Sequence, residues 1–352
     1  MSKFDRYLLR TLLISTFVTL IFLLGIDFLV QSSDEADNLG VGKYSFLVMI
    51  YVLALQIPDK IIEFLPAAIL VGSIMGLGQL GNQNELTVVR AAGVSKLRLS
   101  RAGILMAFFL GIGLIGISEY IAPGMNDKAE LTRNQALGRA SANHFAQGIW
   151  LDSGEDGYVH IAQFNPDGSL GGLSFYRQDR EGNIRIDKVR RAEHRDDYWQ
   201  LSDSHSIMLN STRYQLGEGR NTWHNPVNPQ TLSRLADTSS AQTIAELYTL
   251  TQFLKANRIE HRNESLRLWQ QLFLPLSTLA MLLLALPFAY GQVRSGGGGA
   301  RLLIGILLGV SYYVLQAILS SMALLLHWPP ILGALLPILI LGIPPFIALL
   351  RN

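Results

Sequence analysis

The sequence contains no cysteine, so it can form neither a disulfide framework nor a metal site with thiolate ligands. Charged residues are also scarce: they make up 16% of the 352 residues, whereas soluble proteins usually carry about 25%. The net charge of +2 gives no reason to expect a nucleic-acid partner. Because the charge is missing from long apolar blocks, the composition indicates membrane-spanning helices rather than one large soluble core.

Motifs for catalysis and metal binding are missing as well. The seven histidines show neither metal-ligand spacing nor an H-E-x-x-H pattern. The string GVGKYS at 40–45 resembles part of a phosphate-binding loop, but Tyr44 stands where serine or threonine must follow the lysine. SGGGGAR at 295–301 lacks that lysine and is better explained as a hairpin between spans. We therefore expect no catalytic residue, no metal site and no cofactor bound by this chain.

Six apolar segments are long enough to cross a membrane, which requires about 20 helical residues. They lie roughly at 8–30, 60–80, 101–122, 266–290, 302–326 and 330–350. A further apolar string at 44–56 is too short to span and is followed by a proline and three charges. We predict that it lies at the membrane interface and leads into the second span. The long apolar run after the basic start lacks a cleavage site and predicts a retained membrane anchor, not a signal peptide.

Lysine and arginine are distributed unevenly between the two sides of the predicted membrane. With a cytoplasmic N terminus, the cytoplasmic segments carry Lys3, Arg6, Arg10, Arg90, Lys96, Arg98, Arg101, Arg294, Arg301 and Arg351. The short segments on the other side carry Lys43 and Lys60. Because positive residues are retained in the cytoplasm, both termini and residues 81–100 are predicted to be cytoplasmic. The long polar insert at 124–262 then lies on the far side.

This insert has the pattern of a β domain. Alternating polar and apolar residues, separated by turn signals, occur in GYVHIAQF, GGLSFYRQ, NIRIDKVRRAEH and DYWQLSDSHSIML. Regular short strands favour an all-β sandwich or jelly roll, and a helix capped by Thr243 follows from about residue 241. The predicted domains are residues 1–123 with three spans, residues 124–262 with the β domain and its helical return, and residues 263–352 with three spans.

Some ionisable residues lie close to the predicted spans, where a charge is costly. Asp27 falls inside the first span and Glu119 ends the third. We interpret both as residues of the outer interface rather than as proton relays. The cations that flank the outer membrane surface are Lys60, Lys128, Arg133 and Arg139. Each alone is explained as a solvated anchor, but together they form a candidate site for the phosphates of an anionic lipid.

A short helix is predicted at 84–93, between the second and third spans, in the string NELTVVRAAGVS. Asn84 can cap its start, and Gly93 supplies the left-handed residue that often follows a helix end. Counting by three and four from Glu85 reaches Val88, Val89 and Ala92. This cytoplasmic loop therefore carries an apolar helix face with a carboxylate in it.

Several strings, taken in order, resemble the LptF/LptG family of lipopolysaccharide export permeases. They are FDRYLLRTLLIS, NELTVVRAAGVS, EYIAPGMNDKAELTRNQAL, QGIW, GGLSFY, LPLSTLAMLLLALPF and WPPILGALLP. The order of six spans with one β domain between the third and fourth is also that of the family. The resemblance covers nearly the whole chain, and the IAP, QGIW and WPPILGALLP strings are closer to the LptG branch than to the LptF branch.

The resemblance implies a polytopic α-helical protein of the inner membrane of a Gram-negative bacterium, with six transmembrane helices and an inserted periplasmic, jelly-roll-like β domain. It implies the permease subunit of an ABC transporter that extracts lipopolysaccharide and passes it to a periplasmic bridge. The implied partners are an LptF-like second half, an LptB-like ATPase dimer that uses ATP, and LptC-like and LptA-like bridge proteins.

In this family the loop between spans two and three is a coupling helix that docks in a groove of the ATPase. The residues that the resemblance assigns to this contact are Glu85, Leu86, Val88, Val89 and Ala92. Glu85 would meet a basic residue, and the apolar side chains would fill the groove. A helix resting on lipid headgroups would carry more lysine and arginine on its polar face, so we favour docking on a protein.

One segment departs from the family pattern. Relatives often carry lysines directly after the first span, but here that segment is the acidic FLVQSSDEADNLGVGK, in which Lys43 is the first cation. The candidate substrate-binding residues are therefore Lys43, Lys60 and Arg133, unless the contact with substrate is mainly apolar. The alternative function is a mechanotransmission subunit that moves its outer domain without carrying lipid. A secondary transporter is disfavoured because spans two to six offer few ionisable residues at mid-bilayer.

Overall fold

The computed structural model describes residues 3–82, 88, 95–138, 143–152, 157–165, 167–178, 184–195, 198–209, 214–224, 242–256, 260–290 and 298–350. The chain forms two compact units. The first comprises Met1–Arg133, Ala241–Leu247 and Arg262–Asn352, and the second comprises Asn134–Ser240 and Tyr248–His261.

Nine helices occur in the described residues. They are α1 (Lys3–Ala36), α2 (Phe46–Asn82), α3 (Lys96–Tyr120), α4 (Ala122–Ala136), α5 (Ile244–Ala256), α6 (Arg262–Leu272), α7 (Leu274–Tyr290), α8 (Gly298–Leu325) and α9 (Pro330–Leu350). Five of them, α1, α2, α3, α8 and α9, are long and apolar enough to cross a membrane. The bent pair α6–α7 supplies a sixth span when it is counted as one, which agrees with the six predicted spans.

The second span differs from its predicted bounds. The short apolar string at 44–56 and the span at 60–80 were predicted as successive segments, but they form one helix, α2, of 37 residues. At 1.5 Å per residue, α2 is about 55 Å long and exceeds the hydrocarbon core of a bilayer. The helix continues through Pro58 and Pro66, and Tyr313 on α8 donates a hydrogen bond to the carbonyl of Glu63, one turn before Pro66. The carbonyl that Pro66 leaves without its helical donor is that of Ile62, so the bond from Tyr313 supports the helix at the adjacent residue.

The fourth span also differs, because it is broken. The pair α6–α7 bends by 59° at Phe273, within the span predicted at 266–290. Pro275 stands in the first turn of α7, where its missing N–H costs no helical hydrogen bond. The bend is held from α3: Thr278 donates a hydrogen bond to the Ala107 carbonyl at 2.9 Å, and a Cβ on Gly111 would overlap Pro275. Proline and close packing together therefore fix the break.

Small residues let α1 and α2 approach each other closely. Gly72 and Gly76 lie one turn apart on α2, and a Cβ on Gly72 would stand 2.6 Å from the Thr16 Cα of α1. A Cβ on Gly76 would stand 2.8 Å from the Ser15 hydroxyl oxygen. This is the small-xxx-small contact of membrane helices, in which van der Waals packing replaces the hydrophobic driving force.

The described residues of the second unit form a curled, antiparallel half-barrel of seven strands. They are β1 (Asn143–Asp152), β2 (Tyr158–Phe164), β3 (Leu170–Gln178), β4 (Ile184–Arg195), β5 (Tyr198–Leu209), β6 (Tyr214–Glu218) and β7 (Thr222–Trp223). The order is a meander from β1 to β6, with β7 paired to β5. The four strand strings identified in the sequence coincide with β2 to β5 within about two residues. The half-barrel supports the jelly-roll-like prediction only in part. A jelly roll contains Greek-key connections, whereas here consecutive strands are neighbours.

The apolar residues of alternate positions fill one face of this sheet. The fully buried members include Leu151, Val159, Ile161, Leu173, Phe175, Trp199 and Trp223. Phe175 meets Trp223 edge-on, with 5.4 Å between ring centroids, and Trp223 is paired with Trp199 across β5 and β7. The two-residue strand β7 is therefore held mainly by its tryptophan. The burial of this large apolar ring stabilises β7 more than the few backbone hydrogen bonds of so short a strand.

The start of α5 confirms the predicted cap. The Thr243 hydroxyl accepts a hydrogen bond from the Glu246 N–H, and the Glu246 carboxylate accepts one from the Thr243 N–H, both at 3.0 Å. This is a capping box. Glu119, at the end of α3, accepts a third bond from the Ile244 N–H at 2.8 Å. Glu119 thus accepts a hydrogen bond from a backbone N–H that has no partner within the first turn of α5.

Candidate functional site

The loop that joins α1 to α2 carries the first of the three predicted substrate-binding cations. Gly40 and Gly42 adopt positive φ angles of 82° and 59°, which glycine adopts without steric cost, and the chain turns sharply between the helices. Lys43 follows on the exposed side of this loop. Tyr44 points inward and is 1% exposed. Lys43 makes no ion pair within the described residues, so of the three predicted substrate-binding cations it is the one without an acid partner.

Arg133, the second of the predicted substrate-binding cations, forms an ion pair with an acid of α1. Its Nε atom lies 3.0 Å from an oxygen of Glu35, near the end of α1. The other oxygen of Glu35 accepts hydrogen bonds from the Tyr44 hydroxyl at 3.2 Å and from the Asn38 side chain at 3.0 Å. One carboxylate therefore connects α1, the α1–α2 loop and α4.

The contact with Glu35 and the burial of the ring change the pKa of Tyr44. Burial of the phenol, together with the negative charge and the hydrogen bond of Glu35, raises the pKa of Tyr44 from 10.0 to about 12. The hydroxyl is therefore neutral at physiological pH and serves as a hydrogen-bond donor to Glu35. Its donated bond helps to hold the carboxylate in the position from which it pairs with Arg133.

Lys60 is paired as well. Its ammonium lies 3.0 Å from the carboxylate of Glu63, on the same helix, and 4.0 Å from that of Asp27 on α1. Asp27 also accepts a hydrogen bond from Gln31 at 2.7 Å. Asp27, which was interpreted from the sequence as a residue of the outer interface rather than a proton relay, is thus part of a charged contact between α1 and α2.

The structure brings two of the three predicted cations to the same half of α1. Asp27 and Glu35, their partners, are eight residues apart and therefore about 12 Å apart along the helix. Glu35, Tyr44 and Glu63 were not predicted from the sequence as members of the site. The acidic segment after the first span was the available signal, because acids that accompany nearby cations often pair with them.

The predicted coupling helix is described only at one position. Glu85, Leu86, Val89 and Ala92 lie outside the described residues. Val88 is helical and its side chain is 67% exposed. At the following boundary, the Ser95 hydroxyl accepts a hydrogen bond from the Arg98 N–H and caps α3. The assignment of the docking face remains a prediction.

The spanning helices differ in how much apolar surface they leave uncovered. In their most apolar stretches, 72% of the residues of α2 are buried within the chain, but only 17% of those of α1 and of α8. A fully exposed apolar helix face in a membrane protein contacts lipid or another apolar chain. The described residues contain no group of three or more histidine, aspartate or glutamate side chains suited to a metal ion.

Both units match one known family along the chain. The model of the lipopolysaccharide export system permease LptF/LptG family matches residues 6–351. The chain belongs to the LptF/LptG permease family. This permease is therefore a multi-pass membrane protein with an inserted β domain.

Individual relatives agree with this assignment. The permease is 31% identical to the lipopolysaccharide export system permease protein LptG of Escherichia coli K12 over 342 residues, which cover 95% of this chain and 94% of the relative. It is 28% identical to LptG of Haemophilus influenzae over 343 residues, or 96% of each chain. The match to LptF of Escherichia coli K12 is 32% over 108 residues and covers 30% of this chain. The similarity to LptG is thus the more extensive.

Proposed function

We propose that this permease is the LptG-type membrane subunit of a transporter that extracts lipopolysaccharide from the inner membrane toward the outer membrane. The observation that carries the proposal is the match to the permease family over residues 6–351, which includes both the membrane helices and the β domain. The LptG relatives named for lipopolysaccharide export align with almost the whole chain.

The low burial of α1 and α8 supports a partner subunit and a lipid substrate. Their exposed apolar faces would line a cavity shared with an LptF-like second permease half. Acyl chains that leave the bilayer lose about 25 cal/mol for each Å² of apolar surface brought into water. A route that keeps the acyl chains against apolar surface would avoid this cost, and the lipid is then passed to LptC-like and LptA-like bridge proteins.

The proposed energy source is an LptB-like ATPase dimer on the cytoplasmic side. This chain would supply the coupling helix at 84–93, with Glu85 paired to a basic residue of the ATPase and an apolar face in its groove. The exposed apolar side chain of Val88 is consistent with a surface that binds a partner protein. Both termini are then cytoplasmic and the β domain periplasmic, as the charge asymmetry indicates.

The ion pairs that Arg133 and Lys60 form with acids suggest how lipid phosphates would be bound. A phosphate group carries more negative charge than a carboxylate and forms strong charge-assisted bonds to arginine. In the proposed exchange, a lipid A phosphate first meets the exposed Lys43 and then displaces Glu35 from Arg133, and a second phosphate displaces the acids from Lys60. The carboxylates keep the cations oriented while no substrate is present.

Photocrosslinking distinguishes this function from a mechanotransmission subunit. A photoreactive residue at Leu29, which is 69% exposed on the outer half of α1, should form an adduct with lipopolysaccharide in the assembled transporter. The adduct should decline when ATP is turned over. The matched control is Phe109 on α3, which is 65% exposed and should give a much lower yield. If the active complex gave no lipopolysaccharide adduct at Leu29, the mechanotransmission function would be supported instead.

A further inference from the structure

Two of the strings that resemble the permease family meet on one face of the half-barrel. Trp150 is the last residue of QGIW on β1, and Tyr176 is the last residue of GGLSFY on β3. Their ring centroids are 5.2 Å apart, and the Trp150 ring is 4.8 Å from that of His160 on β2. Because β2 separates β1 from β3 in the sheet, the indole must lie across β2 to come this close to Tyr176. The two strings therefore contribute to one aromatic cluster.

This cluster lies on the outer face of the sheet, which points away from the core. Its members alternate along the strands with buried core residues, which are Leu151, Val159 and Phe175. Trp150 is 49% exposed, and Tyr158, which shares this face of β2 with His160, is 59% exposed. Cross-strand aromatic pairs stabilise a sheet by covering each other. Here about half of the surface of these two side chains is left uncovered, so it is also available to a ligand.

The aromatic cluster begins two parallel rows of side chains that cross the outer face. The strand register gives the first row as Tyr158, Tyr176, Ile186 and Ile207. It gives the second row as Trp150, His160, Ser174, Lys188 and His205. Neighbouring rows on one face are two residues, or about 7 Å, apart, and the second row spans about 19 Å from β1 to β5. Apart from its tryptophan, the second row bears hydrogen-bonding groups, so an apolar strip runs beside a polar one.

The two rows match the chemistry of a saccharide. A sugar ring carries C–H groups on its faces, which stack on tryptophan and tyrosine rings, and hydroxyl groups around its edge, which require hydrogen-bonding partners. The first row and Trp150 supply the apolar surface. The exposed side chains of Lys188 and His205 supply hydrogen-bonding groups in the second row. A purely apolar ligand would leave the second row without partners, whereas a chain of sugar rings can use both rows.

We propose that this outer face binds the saccharide part of lipopolysaccharide, with sugar rings stacked on Trp150 and Tyr158. The sugar hydroxyl groups form hydrogen bonds with His160, Lys188 and His205. The inference rests on the proposed function, which supplies a lipid that carries a saccharide. The inner face of the sheet is filled by the core of the β domain itself, so a saccharide that reaches this domain meets the outer face. Since β1 ends the strand order, Trp150 is the first ring that a saccharide meets when it arrives from this edge.

The test uses the full chain in the assembled transporter, in nanodiscs that contain either lipopolysaccharide or lipid A without its saccharide. A photoreactive phenylalanine derivative at Tyr158 keeps an aromatic ring at this position. During ATP turnover it should form an adduct with lipopolysaccharide but not with the saccharide-free lipid, whereas the probe at Leu29 should label both. Trp150→Ala should lower the Tyr158 adduct about fivefold, the order that one aromatic contact contributes, and Trp150→Phe should restore most of it. The matched control is Tyr248→Ala, which removes a 57% exposed ring from α5 and should leave the yield unchanged.

A competition experiment decides the result if Trp150→Ala prevents the β domain from folding. The free saccharide, released from lipopolysaccharide by removal of lipid A, should lower the Tyr158 adduct and leave the Leu29 adduct unchanged. A fragment of cell-wall glycan at the same concentration should lower neither. The inference is overturned by equal labelling of the saccharide-free lipid, by equal competition from the cell-wall glycan, by a Tyr158 adduct with protein instead of lipid, or by no adduct at Tyr158. If the Leu29 adduct is retained, only the saccharide inference fails; if the Leu29 adduct is absent, the proposed function fails separately.

Discussion

At the scale of single residues, Glu35 joins the C-terminal end of α1 to the α1–α2 loop and to α4. It pairs with Arg133 and accepts hydrogen bonds from Tyr44 and Asn38. The ion pair is partly exposed, with 34% of the Arg133 side chain and 16% of the Glu35 side chain accessible. Such pairs usually contribute no more than about 1 kcal/mol to stability, so the contact suits a bond that substrate can exchange.

Glu35→Gln tests this exchange. The variant keeps the size of the side chain but removes the charge that competes for Arg133. We expect a small loss of thermal stability, below about 1 kcal/mol, and a higher yield of the lipopolysaccharide adduct at Leu29. The matched control is Asp34→Asn, an exposed neighbouring acid that should change neither quantity. An equal rise of the adduct yield in both variants would show that the loss of any negative charge in this segment has the same effect, and would contradict the exchange at Arg133.

Tyr44 gives a prediction on pH. Its folded pKa of about 12 exceeds the ordinary value of 10.0, so folding favours the neutral phenol. The corresponding stabilisation is complete below pH 10 and is lost as the pH rises toward 12. Since the chain has 12 tyrosines, the measurement is the difference in phenolate absorbance between the parent protein and Tyr44→Phe. The difference should titrate near pH 12, and a titration near pH 10 would contradict the buried contact with Glu35.

At the scale of elements, the helices show where sequence signals were sufficient. The last two spans were predicted at 302–326 and 330–350, and they form α8 (Gly298–Leu325) and α9 (Pro330–Leu350). A run of about 20 apolar residues determines a spanning helix locally, because every backbone group must be paired inside the membrane. The length of α2 and the bend of α6–α7 depend instead on neighbouring helices, through the bond of Tyr313 to the Glu63 carbonyl and the contact of Gly111 with Pro275.

The close approach of α1 and α2 can be tested with Gly72→Ala. The added methyl group would collide with the backbone at Thr16, so α1 must move away from α2. Overpacking of this kind typically costs about 1–3 kcal/mol, which should appear as a lower midpoint of thermal unfolding. Gly116→Ala on α3 places the same methyl group in open space and serves as the control. Equal midpoints for both variants would show that α1 can move without cost.

At the scale of the whole molecule, two compact units follow from two kinds of periodicity. The apolar runs form the helical unit, and the alternating segments form the half-barrel around Trp199 and Trp223. Phe253 of α5 packs against the same core in the second unit. Continuous and alternating apolar patterns bury their surfaces in different ways, so one chain separates into a membrane unit and a β unit.

The absence of native cysteine makes the orientation directly testable. Single cysteines at Arg98 and Gly299, both exposed, should resist a membrane-impermeant thiol reagent in intact cells and react after the inner membrane is opened. A cysteine at Lys188, exposed on β4, should react in intact cells. This pattern follows from the excess of lysine and arginine on the predicted cytoplasmic side. Reaction of the cysteine at Gly299 in intact cells would disprove the six-span orientation.

The sequence by itself determined the number of spans, the strands β2 to β5 and the cap at Thr243, because each depends on residues close together in the chain. It also supplied the strings that resemble the LptF/LptG family. Only the tertiary structure decided that Arg133 pairs with Glu35, that Trp150 lies beside Tyr176, and that the strands form a meander. The physical reason is that such contacts join segments distant in sequence, and their partners are chosen by close packing and by the neutralisation of buried charge, which no local pattern contains.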